Sequence, residues 1–145
     1  MNRILLALSL LCIAFAACKK SDSNPLPLTD DNATKKALIG TWHYKSDTVN
    51  YYTNGVLTES NTTNVTTSDT EQFNNDGTVS AIYPGNVDNF TYSVHNNVIA
   101  FIFVGVLENA TIKLLTSKTL YLSFDTTSIN NTLTYRIVEH AHLAR

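Results

Sequence analysis

Ala37-Leu38-Ile39-Gly40-Thr41-Trp42 is the stretch that decides the fold. It reads as the last turn of a short helix, a glycine stop, and a strand opening on the only tryptophan of the chain. Upstream, Thr29 is placed to cap the helix through its hydroxyl. Asp30 and Asp31 suit the positive end of the helix dipole, and Lys35 and Lys36 the negative end. Ala33, Ala37 and Leu38 share one apolar face. A helix of about ten residues is too short to hold alone, so it must dock, with an open end of a β-structure as the natural place. Gly40 ends it because glycine takes a left-handed conformation without a Cβ clash.

Downstream of Trp42 the apolar period changes to two. Trp42 and Tyr44 alternate with His43 and Lys45, and Val49 and Tyr51 continue the strand. Asn54-Gly55 and Asp76-Gly77 are hairpin signals. Between them, Val56 to Thr67 is long, polar and rich in threonine, a weak strand or an edge. Pro84-Gly85, His95-Asn96-Asn97, Gly105 to Asn109, Ser117-Lys118 and Ser128 to Asn131 mark the remaining turns. Val98 to Val104 is apolar on both faces, which predicts a strand buried on both sides, with the helix as its cover. Ala110, Ile112 and Leu114 form the apolar face of the next strand. Eight or nine strands joined by short turns pair with their sequence neighbours. An up-and-down sheet of that size closes on itself, because closure removes exposed edges. The expected fold is all-β: an antiparallel meander closing into an eight- or nine-stranded barrel, with one short N-terminal helix.

The inward-facing set is then Trp42, Tyr44, Phe73, Val79, Ala81, Tyr83, Phe90, Tyr92, Leu120, Leu122, Phe124, Leu133, Tyr135 and Ile137. An eight-stranded barrel is just wide enough to be filled by side chains or to hold one small ligand. Tyr44, Phe73, Tyr83, Phe90, Tyr92, Leu122, Phe124 and Tyr135 are the candidate lining of a pocket for a small apolar or amphipathic molecule. The alternative is that they fill the barrel. It would then work through its Thr/Asn-rich outer surface, with 58–67 as a contact for an envelope glycan or protein.

The helix running into Leu38-Ile39-Gly40-Thr41-Trp42, then Phe73-Asn74-Asn75-Asp76-Gly77-Thr78 and Leu115-Thr116-Ser117-Lys118-Thr119-Leu120, resembles the lipocalin-like lipoproteins of Bacteroidetes over about Thr29 to Arg145. Gly40-Thr41-Trp42 looks like the Gly-X-Trp motif that opens the first lipocalin strand. The resemblance implies that Trp42 packs in the closed end of the barrel under a basic side chain from the last strand. Arg136 is the candidate, through a cation–π contact.

The chain begins with Asn2-Arg3 and an apolar run from Ile4 to Ala17, short of the roughly 20 residues that span a bilayer. It reads as a signal peptide over residues 1–17. Phe15-Ala16-Ala17-Cys18 resembles a bacterial lipobox, which implies cleavage before Cys18 and acylation of its thiol by chains such as palmitate. Cys12 lies in the removed segment, so the mature chain keeps a single cysteine, at its first position. Residues 18–28, with Ser, Asp, Asn and two prolines, read as a flexible tether, and 29–145 as the barrel domain. The membrane is therefore an expected partner, through the lipid. The expected location is the bacterial outer membrane, on its periplasmic face or at the cell surface.

Loss of Arg3 with the signal leaves a formal charge of −3, and no basic run exceeds Lys-Lys. That excludes the electrostatic footprint of a nucleic-acid binder. Catalytic patterns are lacking: no nucleophile elbow occurs, and no cysteine is free once Cys18 is acylated. Glu139, His140 and His142, with His43 or His95, come nearest to a metal set, but without zinc spacing and near the chain end they read as a solvated tail. Asp69 and Glu71 share a strand face and read as a solvated outer pair. A non-enzymatic protein without catalytic, cofactor or metal site is expected.

Overall fold

The computed structural model describes residues 24–65, 68–130 and 132–145. Residues 1–17, read as a signal peptide, and Cys18 lie outside them. Helix α1 (Asp31–Leu38) is followed by nine strands: β1 (Gly40–Thr53), β2 (Val56–Asn64), β3 (Thr70–Phe73), β4 (Thr78–Tyr83), β5 (Asn86–His95), β6 (Val98–Phe103), β7 (Val106–Leu115), β8 (Thr119–Asn130) and β9 (Leu133–Ala144). All pairings are antiparallel, and β1 pairs with β9 to close the sheet. Eight strands form the closed barrel and β2 is the extra one. The first residues of β1, Gly40 to His43, pair with β3, while Ser46 to Thr53 pair with β2 on the same edge. The far halves of β1, β8 and β9, together with β2, therefore project beyond the barrel wall. All nine residues of β2 are exposed.

The closed end is built around Trp42, which is fully buried among Leu38, Phe73, Leu115, Leu120 and Leu143. Its indole Nε1 donates to the Leu38 carbonyl at 2.7 Å. The basic side chain over its ring is Arg145, 3.9 Å from the ring centroid, and not Arg136. One Arg145 guanidinium nitrogen also lies 2.7, 2.9 and 2.8 Å from the carbonyl oxygens of Ala37, Leu38 and Ile39. It satisfies the acceptors that the helix end leaves open. Arg136 sits on the projecting strands, where it pairs with Asp125 and stacks over Tyr52. The segment that reads as a solvated tail is thus the strand that closes the barrel and locks the helix onto it. Gly40, at φ +121°, brings its backbone against this guanidinium, which lies 3.7 Å from where a Cβ would be.

The cap of α1 is Asp30 in place of Thr29. Its Oδ1 accepts from the N–H groups of Asn32 and Ala33 at 2.9 and 3.2 Å. Asp31 fastens the first turn to the β5–β6 turn, bonding His95 Nδ1 and the Asn96 N–H. Lys35 lies over the Tyr92 ring. The helix therefore covers the closed end and does not bury the outer face of β6, where Val98 and Ala100 are half-buried. Ile102, on that face, is exposed. The described part of the 18–28 segment is also held there: the Leu26 N–H donates to Leu115 O at 2.8 Å, and Leu28 packs on the core.

Besides a register shift between β1 and β2 at Tyr51/Tyr52, bulges on β1 and β7 reset the alternation of side chains in the barrel wall. The extra residue Lys45 lets Trp42 and Tyr44 face inward before the slip, and Asp47, Val49 and Tyr51 after it. The extra residue Lys113 turns Leu115 inward instead of the expected Leu114. Leu133, Tyr135 and Ile137 keep the inward register through Leu143 and Ala141, but they lie on the projecting part of β9 and are 39%, 39% and 41% exposed. The β6–β7 turn is Val104-Gly105, so β7 begins at Val106 and not after Asn109. Val104 has φ +48° and is 86% exposed. A β-branched side chain is strained in that conformation.

Two outcomes are expected in chemical denaturation. Trp42→Ala costs about 3–5 kcal/mol and Arg145→Ala about 1–2 kcal/mol, whereas Arg136→Ala leaves the midpoint unchanged; equal effects of the two arginine variants would contradict the assignment. Val104→Asn, which tolerates positive φ, stabilises the protein by about 1 kcal/mol.

Candidate functional site

The barrel is filled at its closed end and hollow at the other. Ala81, Ala110 and Ala141 are inward, fully or almost fully buried, and small. Above the packed layer of Phe73, Tyr92, Ile99, Ile112 and Leu122 they leave a cavity of about 400 Å³, within the range of small-molecule sites. It is lined by Tyr44, Glu71, Tyr83, Phe90, Phe101, Phe103, Val106, Glu108, Phe124 and Glu139. It opens to solvent where Tyr83, Phe103 and Val106 are partly exposed.

Of the expected lining, Tyr44, Tyr83, Phe90 and Phe124 are in place. Phe73, Tyr92 and Leu122 belong to the packed layer beneath, where Phe73 and Tyr92 meet edge to face at 5.1 Å. Tyr135 stands on the projecting strands. Phe101, Phe103 and Val106 are new; they follow once the β6–β7 turn is placed at Val104-Gly105.

The main departure is Glu71. It does not lie on an outer face: it is opposite Trp42 on β1 and Ala81 on β4, facing inward, and only 7% exposed. The signal was present, since Glu71 stands two residues before Phe73 and period two gives both the same face. Tyr44 donates its phenolic O–H to Glu71 Oε1 at 2.7 Å, while Oε2 is buried without a hydrogen-bond partner. Burial pushes the Glu71 carboxyl up to about 7; the Tyr44 hydrogen bond pulls it down and Glu108 raises it further. Burial, and then the Glu71 charge, raise the Tyr44 hydroxyl well above its ordinary value, so it remains the donor. Glu139 is raised by burial, then by Asp47 and Glu108. Asp47 is raised by burial, which its Thr48 backbone hydrogen bond and nearby His140 partly offset. The Oδ1 atoms of Asp47 and Asp69 are also buried without a partner. Among the described residues no lysine, arginine or histidine lines the cavity.

The histidines of β9 do not gather around Glu139. His142 stacks flat on Tyr121 at 4.3 Å and 3°. Among the described residues no three of His, Cys, Asp and Glu come together as metal ligands do. Compared with protein-family models, curated proteins and solved structures, the chain matches none.

The buried carboxyl makes stability depend on pH. Folded Glu71 holds its proton up to about pH 7, against 4.5 for the ordinary group. Between those values the unfolded chain binds fewer protons, so stability is greatest below the lower value and falls as pH rises through the higher one. The loss is about 3 kcal/mol. Urea denaturation across this range is expected to show the decline, and Glu71→Gln to flatten it. A wild-type profile that rises with pH would contradict a carboxyl buried in this way.

Proposed function

We propose that this protein is a lipid-anchored, non-enzymatic, lipocalin-like carrier or receptor of the bacterial outer membrane, which holds one small amphipathic ligand in the barrel mouth. The observation that carries the reading is the cavity of about 400 Å³ above a fully packed closed end, apolar on most of its wall and polar at a few points. That division suits a molecule with an apolar body and one polar group. The lipid anchor is inferred from the Ala16-Ala17-Cys18 pattern. The Leu26–Leu115 bond holds the N-terminal segment at the closed end, so an anchor at Cys18 leaves the mouth free to face away from the bilayer. A second reading, an interaction module for an envelope glycan or protein, draws on the fully exposed, Thr-rich strand β2.

Native mass spectrometry of the full chain from its native membrane separates the two. The cargo reading expects an extra mass of a few hundred daltons that leaves on denaturation, whereas a bare barrel favours the interaction module. The same spectrum is expected to show an acylated N-terminus at Cys18. Cys18→Ala is expected to abolish the acyl mass, and an unmodified wild-type chain would remove the anchor.

A further inference from the structure

The carboxylates of the mouth are not explained by binding an apolar molecule, and they narrow its chemistry. Glu71 is more than nine-tenths buried, lines the cavity, and has one oxygen without a partner. A buried carboxyl in that state is costly unless a donor or a positive charge reaches it. Beyond Tyr44, none of the groups facing it bonds the free oxygen. From β4 comes the Tyr83 hydroxyl, from β7 Glu108, and from β9 Glu139. Asp47 lies near Glu139, and Asp69 near Tyr83. All are acids or phenols; His140 lies near Asp47 but outside the lining.

Among the described residues no basic side chain belongs to the lining. Lys35 and Arg145 are engaged at the closed end, and Arg136 pairs with Asp125 on the projecting strands. A ligand carboxylate or phosphate would meet several like charges and no counter-ion. A metal ion would lack the three gathered ligands it needs. An organic cation meets neither obstacle. Its charge is matched by the carboxylates, and the faces of Phe90, Phe101 and Phe124 suit both a cation and an alkyl chain.

We infer that the cargo of this mouth is a cationic amphiphile, an amine whose ammonium group pairs with Glu71 and Glu139 while its apolar body lies along the phenylalanine wall. This rests on the reading of the cavity as a cargo site. Glu71 supplies the deep contact, hydrogen-bonded and held in place by Tyr44, and Glu108 at the rim attracts the incoming charge.

Three probes that share one chain and differ in head group test this: octylammonium, 1-octanol and octanoate, titrated by calorimetry into the full chain at about pH 8, where Glu71 is ionised. Octylammonium is expected to bind at least about tenfold more tightly than octanol, with octanoate weakest. Glu71→Gln, which keeps the shape and removes a buried charge, is expected to erase the ammonium advantage. Glu59→Gln, on exposed β2, is expected to leave it unchanged. Octanol or octanoate binding as tightly as the amine overturns the cationic preference and leaves the cargo reading standing. An ammonium advantage that survives Glu71→Gln overturns the role of Glu71. Absence of binding by all three overturns the cargo reading and this inference together.

Discussion

The structure depends on one contact set at the closed end of the barrel. The Leu38 carbonyl accepts from the Trp42 indole and from Arg145, and the Arg145 guanidinium lies over the same indole. Residues from the end of the helix, the start of the first strand and the last residue of the chain thus meet around one buried ring. Helix, sheet closure and core are coupled through it. The helix is too short to persist alone, and the sheet has no closed edge until β9 pairs with β1. Each supplies what the other lacks: the barrel gives the helix an apolar surface, and the helix seals the hole that eight strands leave at their end.

Because the closed end is filled so completely, the rest of the barrel does not need to be. Alanines at 81, 110 and 141 take little of the interior, and the wall above them carries aromatic rings and carboxyls instead of aliphatic packing. The two ends also differ in charge. Arg145 and Lys35 lie at the packed end, while Glu71, Glu108 and Glu139 line the mouth at separate points. A buried acid with an unpartnered oxygen weakens the fold at neutral pH. Such a feature is more easily understood as part of a site than as part of a scaffold. Val104, strained in the rim turn, is a second local cost at the same end.

Much of this was legible in the residues. The hairpins at Asn54-Gly55 and Asp76-Gly77, the glycine stop before Trp42 and the period-two faces of β4, β5 and β8 stand where the pattern put them. Four of the expected cavity residues line it. The misses have particular causes. Lys45 and Lys113 are bulge residues, and an inserted residue in a strand carries no compositional mark. Val104 turns the chain at a positive φ that valine normally avoids, so the β6–β7 turn could not be found from turn chemistry. Glu71 was assigned to solvent because acids usually go there, although its parity with Phe73 pointed inward. Arg136 and Arg145 were both basic residues late in the chain, and only the length of β9 distinguishes them.

The sequence by itself determined the fold class, the order of the strands, the helix that precedes them and the central place of Trp42. These follow from local periodicity, turn residues and short connections, which act between neighbours along the chain. Only the tertiary structure decided which strands project beyond the wall, which arginine covers the tryptophan, and that three glutamates share one cavity. Those outcomes depend on register around a closed ring, where one bulge or one extended strand shifts every side chain beyond it. They are set by contacts between residues far apart in sequence, such as Ala37 and Arg145, that no local pattern records.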